Sequence, residues 1–256
     1  MSVVIYETAA PGIARIAINR PDKRNALNPE TRGALIEAVT SALADDAVAA
    51  LILGSTEGHF CAGGDIDSMA GLDVNSGRAR MKENHRLARL LADAEKPVIA
   101  AVEGYAVGAG AGLALLCDSI VLAKSGAIGF PFFRVGLTPD YGILYTLPRR
   151  VGAAKARQIL LYARMLKGPE AVDEGLADEL VPDGEAEIRA LERAQELAAM
   201  PPHSFALTKR ALALQPQTLD SALEMEAMAQ ALSFVGPEFE EGRAAFQEKR
   251  KPDFRR

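Results

Sequence analysis

The chain has 256 residues, 49% of them apolar and 25% charged, enough to bury a sizeable core without disulfides or metals and unlike a disordered segment. Its formal net charge of -5 argues against a nucleic-acid binder, which carries a basic surplus to meet phosphates. Cys61 and Cys117 make neither a CxxC pair nor a zinc spacing, no uncharged run reaches the ~20 residues of a membrane span, and MSVVIYETAAPG is no signal peptide, so a reducing cytoplasm is expected.

In chain order, Val3 to Glu7 and Ile13 to Asn19 are β-prone runs joined by Ala-Ala-Pro-Gly, which predicts a hairpin. Pro29 to Leu43 has helical spacing behind an Asn28 N-cap, and Ala49 to Gly54 is a buried strand. Ser76 to Ala94 is a charged amphipathic helix ending before Lys96-Pro97; Val98 to Val102 is a strand, and Gly104 to Gly112 holds four glycines among small residues. Leu113 to Leu116 leads to a strand over Ser119 to Ala123. Strands alternating with helices imply an α/β fold with crossover connections.

After Pro182 the strand signals stop. Helices are predicted over Glu185 to Ala199, Ser204 to Leu214, Leu219 to Phe234 and Pro237 to Lys249. The apolar spacing of Ala222 to Leu232 fits either ordinary core or a subunit interface. Basic residues cluster at Lys23 and Arg24, at Arg149 and Arg150, and from Lys249 to Arg256, and a polyphosphate could use any of these.

Four segments carry a family resemblance: RPDKRNALN at Arg20 to Asn28, HFCAGGDI at His59 to Ile66, KPVIAAVEGYAVGAGAGLALLCD at Lys96 to Asp118, and AFQEKRKPDF near the end. In order and spacing they resemble the crotonase (enoyl-CoA hydratase/isomerase) superfamily over nearly the whole chain. The resemblance implies an α/β fold, a spiral of ββα units over residues 1–195, with a C-terminal helical trimerisation region over 196–256. It also implies an acyl-CoA thioester as substrate and a homotrimer or a hexamer of two trimers.

Thioester chemistry at the α-carbon passes through an enolate, whose oxygen is best met by backbone N–H groups set among small residues. By resemblance these donors are the amides of Gly64 and Ala109. A dinucleotide-binding loop fails on spacing, because the position that would need its third glycine is Leu113. Close packing of helix on strand is the structural alternative for Gly108 to Gly112.

Relatives that hydrate a double bond carry two glutamates, and the aligned positions here are Gly112 and Phe132. Asp140, in GLTPDYG, resembles instead the device of the isomerase branch, closest to the 1,2-epoxyphenylacetyl-CoA isomerase type. One carboxylate suffices for a 1,3-proton shift, and an apolar wall around Phe132 and Tyr141 would raise its pKa. The alternatives left open are an N-cap role for Asp140, a hydratase or other crotonase reaction, and a CoA-ester-binding scaffold with little catalysis. His85 is a candidate second acid or base, with a solvated face as its simpler reading. A dehalogenase would need a tryptophan at Phe132 and a histidine at Arg89, and the chain has no Trp.

By the same resemblance Lys23, Arg24, Ala26 and Leu27 line one side of the coenzyme A moiety, and Ala62, Gly64, Asp65 and Ile66 the other, while Phe246 and Lys249 reach a CoA site from the tail. Coenzyme A enters as the carrier of the substrate, so no cofactor or metal is expected.

Overall fold

A computed structural model of the protein describes residues 2–255; Met1 and Arg256, the ends of the N-terminal run and of the basic tail, lie outside them. The predicted hairpin is present as β1 (Val4–Ala10) and β2 (Ile13–Ile18), paired antiparallel. Gly12, with φ +75°, makes the turn, in a left-handed region that side chains rarely enter. α1 (Pro29–Ala44) starts where the sequence places it, the Asn28 side chain accepting the Thr31 N–H at 2.8 Å, a cap worth about 1 kcal/mol.

β3 (Ala50–Ser55), α2 (Val74–Ala92) and β4 (Val98–Val102) follow. α2 begins with a reciprocal Asp73–Ser76 capping box. The glycine-rich stretch then gives β5 (Tyr105–Val107) and α3 (Ala109–Leu115), before β6 (Ser119–Ala123) and β7 (Ala127–Gly129). Next come α4 (Ile143–Val151), α5 (Ala153–Leu161), β8 (Met165–Lys167), α6 (Gly168–Asp173) and β9 (Glu179–Val181). Four helices complete the chain: α7 (Ala186–Ala198), α8 (Pro202–Leu214), α9 (Leu219–Phe234) and α10 (Pro237–Glu248).

The strands form a six-stranded sheet in the order β1-β2-β3-β4-β6-β9, parallel beyond the first hairpin, and a three-stranded sheet in the order β5-β7-β8. The chain passes from the large sheet to the small one and back at each turn: β4 to β5, through α3 to β6, then to β7. Cys61, after β3, joins the same pattern through a parallel bridge to Ala106 on β5. This is the spiral of ββα units that the resemblance implies.

The core lies against β2, β3, β4 and β6, whose Ile, Leu and Val side chains are buried on both faces, as parallel strands covered by helices require. On one face α7 presents Ala186, Ala190 and Ala194 at i, i+4, i+8, small enough to bring the helix close to Ile13, Ile52, Ile99 and Val121. α7 also spans the division expected at residue 195. The three-residue strands are too short to show a period in sequence, and α4 contains Pro148, which is why the stretch between 124 and 182 gave no elements.

α8 and α9 contain no buried residue. The apolar residues of Ala222 to Leu232 are therefore not core of this protomer; Leu223, Met228 and Leu232 are exposed. Among the described residues no helix is long and apolar enough to cross a membrane.

Candidate functional site

The two glycine-rich segments come together because each is hydrogen-bonded to β5 or to the loop before α1. Cys61 N–H donates to the Tyr105 carbonyl at 2.9 Å and Val107 N–H to the Cys61 carbonyl at 2.9 Å. On the other side Leu27 N–H donates to the Gly63 carbonyl at 2.8 Å, and Asp65 N–H to the Leu27 carbonyl at 3.0 Å. These bonds bracket Gly64 and turn its own N–H away from Leu27.

Ala109 opens α3, and the first amides of a helix have no partner within it. Among the described residues neither the Gly64 nor the Ala109 N–H donates to a protein acceptor. The segments touch at two glycines. Gly63 has φ +103°, and a Cβ there would lie 2.9 Å from the Val107 carbonyl oxygen and 3.8 Å from the Ala109 nitrogen. Gly110 is fixed by packing, since a Cβ would run into the Cys61 carbonyl.

Facing this backbone is a wall of side chains from α2 and from the turn into α4. Asp140 precedes two left-handed residues, Tyr141 (φ +48°) and Gly142 (φ +73°). α4 starts only at Ile143 with Gly142 as its N-cap, so the N-cap reading of Asp140 is set aside. A left-handed tyrosine costs on the order of 1 kcal/mol or more, and the reversal it makes sends the Tyr141 ring into the core, 1% exposed. A Cβ on Gly112 would lie 2.5 Å from the Tyr141 Cβ. Tyr141 thus fills the space beside Gly112, the position that the resemblance aligns with the first hydratase glutamate. Phe132, which the resemblance aligns with the second, is buried with its ring 3.8 Å from where a Cβ of Gly108 would stand.

Asp140 is the carboxyl group of this wall. Its Oδ2 accepts from Asn84 Nδ2 at 3.3 Å, while its Oδ1 is buried with no hydrogen-bond partner among the described residues. Burial pushes its carboxyl up to about 6, and Arg80, the backbone N–H of Asp140 itself, Arg32 and the Asn84 bond hold it from rising further. Arg32, 5% exposed on α1, donates Nη1–H to the Leu27 carbonyl at 3.2 Å and leaves Nε unpartnered. Burial and Arg80 lower its pKa. Arg80 donates to the Ser68 hydroxyl at 3.2 Å, and its Nη2 sits 3.4 Å from where a Cβ of Gly64 would be. A Cβ there would also meet the end of Met69, so the missing side chain at Gly64 makes room for both residues.

The loop over Arg20 to Leu27 is pinned by Asn25, fully buried at φ +58°. Its side chain accepts the Arg20 N–H at 2.7 Å and donates to the His59 carbonyl at 2.6 Å. Arg20 pairs with Asp65 at 3.1 Å, tying the two expected CoA-lining segments together. Lys23 reaches Asp67 at 3.4 Å, Arg24 is exposed, and its carbonyl accepts the Ala62 N–H at 3.0 Å. Ala26 is half-buried, Leu27 buried and Ile66 exposed. Phe246 is exposed on α10 and Lys249 ends that helix at φ +55°, and among the described residues no hydrogen bond or ion pair joins either to the glycine-rich segments. His85 and Arg89 are exposed on α2.

Asn84, Arg80 and Arg32 escaped the sequence reading, although a signal was there. Arg80, Asn84, Leu87 and Leu91 follow one another at helical spacing on α2, and Asn84 is as buried as the leucines. Arg32 likewise shares a stripe with Leu35, Ile36 and Val39 on α1. Polar residues on an apolar stripe mark a buried site rather than a solvated face.

Residues 8–256 match the family model described as Enoyl-CoA hydratase/isomerase. The chain is 37% identical to a crotonyl-CoA hydratase of Syntrophomonas wolfei, covering 94% of each. It is 34% identical to the 1,2-epoxyphenylacetyl-CoA isomerase of Escherichia coli K12, covering 99% of each. The crystal structure of an enoyl-CoA hydratase from Bacillus anthracis superposes with a TM-score of 0.93 at 28% identity, over 99% of both chains. With its spiral of two sheets, its paired glycine-rich segments and a match over nearly its whole length, the chain belongs to the enoyl-CoA hydratase/isomerase family of the crotonase superfamily.

Proposed function

We propose that the protein is an acyl-CoA isomerase that moves a double bond, converting a 3-enoyl-CoA or a related ring-derived acyl-CoA to its 2-enoyl isomer. The observation that carries this reading is the wall opposite the glycine-rich segments. Tyr141 and Phe132 occupy the space that the resemblance gives to two water-activating glutamates, and among the described residues Asp140 is the carboxylate beside them. The names of the relatives support acyl-CoA hydratase or isomerase chemistry without dividing the two.

The Gly64 and Ala109 amides hold the thioester oxygen. Asp140, as carboxylate, takes a proton from C2; the electron pair of that C–H bond delocalises through the 3,4 double bond and the carbonyl, giving a dienolate whose charge rests on the held oxygen. The same carboxyl returns the proton to C4, the 2,3 double bond forms, and nothing is gained or lost. A carboxyl pushed up to about 6 is a stronger base than an ordinary aspartate and is still largely ionised at neutral pH. Neither metal nor redox cofactor is needed. Lys23, Arg24, Ala26, Leu27, Ala62, Asp65 and Ile66 border the carrier, and the exposed apolar faces of α8 and α9 are the contact between subunits of a trimer or hexamer.

The test is direct. Purified protein given a 3-enoyl-CoA should raise the absorbance of the conjugated thioester, and Asp140→Asn should lower kcat by about 10²-fold to 10⁴-fold while CoA-ester binding persists. Hydration of 2-enoyl-CoA at a rate matching or exceeding isomerisation would favour the hydratase, and binding without turnover on any chain length a scaffold.

A further inference from the structure

Asp140 has two oxygens in unlike surroundings, and the difference originates in Tyr141. The Tyr141 ring is buried, and burial raises its pKa so that the phenol keeps its proton. A protonated phenol can donate to an amide oxygen or accept from an amide nitrogen, whereas an ionised carboxylate can only accept. Tyr141 Oη donates to Asn84 Oδ1 at 3.3 Å, the orientation of the amide that an acceptor-only carboxylate at Asp140 requires. Nδ2 is then turned to Asp140 Oδ2, again at 3.3 Å. Both distances are long, as unliganded sites often show, and both can shorten when substrate closes the space.

We infer that Asn84 is a positioning residue for the proton shift: bonded to the Tyr141 hydroxyl, its amide holds Oδ2 of Asp140, and Oδ1, buried and without a side-chain donor among the described residues, is the atom that takes the proton and returns it. This rests on the assignment of Asp140 as the proton carrier. A carboxylate oxygen that already accepts a hydrogen bond is the poorer base, and one held in place aims its partner. If the carboxyl could rotate, the proton would be taken by either oxygen and delivery to two carbons of one substrate would lose its geometry.

The other groups facing Asp140 do not replace this contact. Arg32 on α1 and Arg80 on α2 act on it through space, and Cys61 and Tyr141 are the neutral titratable groups nearby. Among the described residues no arginine lies within ion-pair distance of it. Asn84 is the side-chain donor in contact, beside the backbone N–H of Asp140 itself.

The experiment is the pH dependence of kcat/KM and of kcat for isomerisation in Asn84→Ala, Asn84→Asp and Tyr141→Phe beside the parent. Loss of a donor to the charged form makes Asp140 easier to protonate, so the acid limb should move to higher pH in Asn84→Ala. It should move further in Asn84→Asp, where two carboxylates share a space, and less in Tyr141→Phe. kcat at neutral pH should fall about tenfold or more in Asn84→Ala with KM little changed. An acid limb that stays in place in Asn84→Ala, even with a lower kcat, would show a packing role and overturn the inference. If the Asn84 variants do not fold, Tyr141→Phe, which removes a single hydroxyl, decides by the same limb. Asp140→Asn separates the two levels: an active Asp140→Asn removes the underlying assignment, whereas an inactive one with unmoved limbs in the other variants removes only the role of Asn84.

Discussion

The two faces of the site are built on opposite principles. The glycine-rich face, Cys61 to Gly64 with Gly108 to Gly110, presents backbone and is held by main-chain hydrogen bonds to β5 and Leu27. The opposite face, Asn84, Phe132, Asp140 and Tyr141, presents side chains and is held by packing and by one polar relay. A backbone face can stabilise an oxyanion whatever reaction makes it; under the proposed function the side-chain face selects the reaction. Gly112 lies between them, a member of the first by sequence whose lack of a Cβ admits Tyr141 to the second.

The backbone face should tolerate least. Gly63→Ala puts a methyl 2.9 Å from the Val107 carbonyl oxygen at φ +103°, so the loop must move and the Gly64 amide with it. Loss of one oxyanion donor predicts a fall in kcat of about 10²-fold to 10³-fold, read in steady-state kinetics; native kcat would detach Gly64 from the chemistry. Gly112→Glu tests the boundary. Restoring a hydratase residue should give no hydration and should destabilise the fold by about 1–3 kcal/mol through overpacking against Tyr141, measured by denaturant unfolding. A stable variant that hydrates would break the comparison.

The smallest effect is electrostatic. Arg80→Gln removes a cation that favours ionised Asp140, so the acid limb of kcat/KM, near 6 in the parent from the Asp140 pKa, should move upward. The linked stability has a definite sign. The folded pKa of Asp140 lies above that of an unfolded aspartate, so the native state binds the extra proton, and stability due to this group falls as pH rises from about 4 through about 6. Arg80→Gln should deepen that fall, seen as a larger drop in melting temperature between pH 5 and pH 8. An unmoved limb would place Arg80 outside the field of Asp140.

Much of the fold was legible. The hairpin, α1 with its Asn28 cap, β4, β6 and α8 to α10 follow from periodicity and capping, since these elements are long enough to display a period or carry a stop signal. The strands of three residues were not, because their pairing is set by where the spiral returns to the small sheet. The region of Ala222 to Leu232 reads as apolar at helical spacing, yet a protomer leaves it exposed; spacing reports that a face is apolar and says nothing of what covers it.

For the site, the sequence alone determined the family pattern, the two glycine-rich segments and the single aspartate in place of two glutamates, because each rests on which residue stands at a given position. Tertiary structure decided the rest. That the missing side chain of Gly112 leaves room for Tyr141, that Arg32 and Arg80 from two helices act on Asp140, and that Asn84 bonds one of its two oxygens are facts about atoms far apart along the chain. They arise because a left-handed turn at Tyr141 and one helical stripe on α2 meet across the same small space, and a one-dimensional pattern carries no term for that meeting.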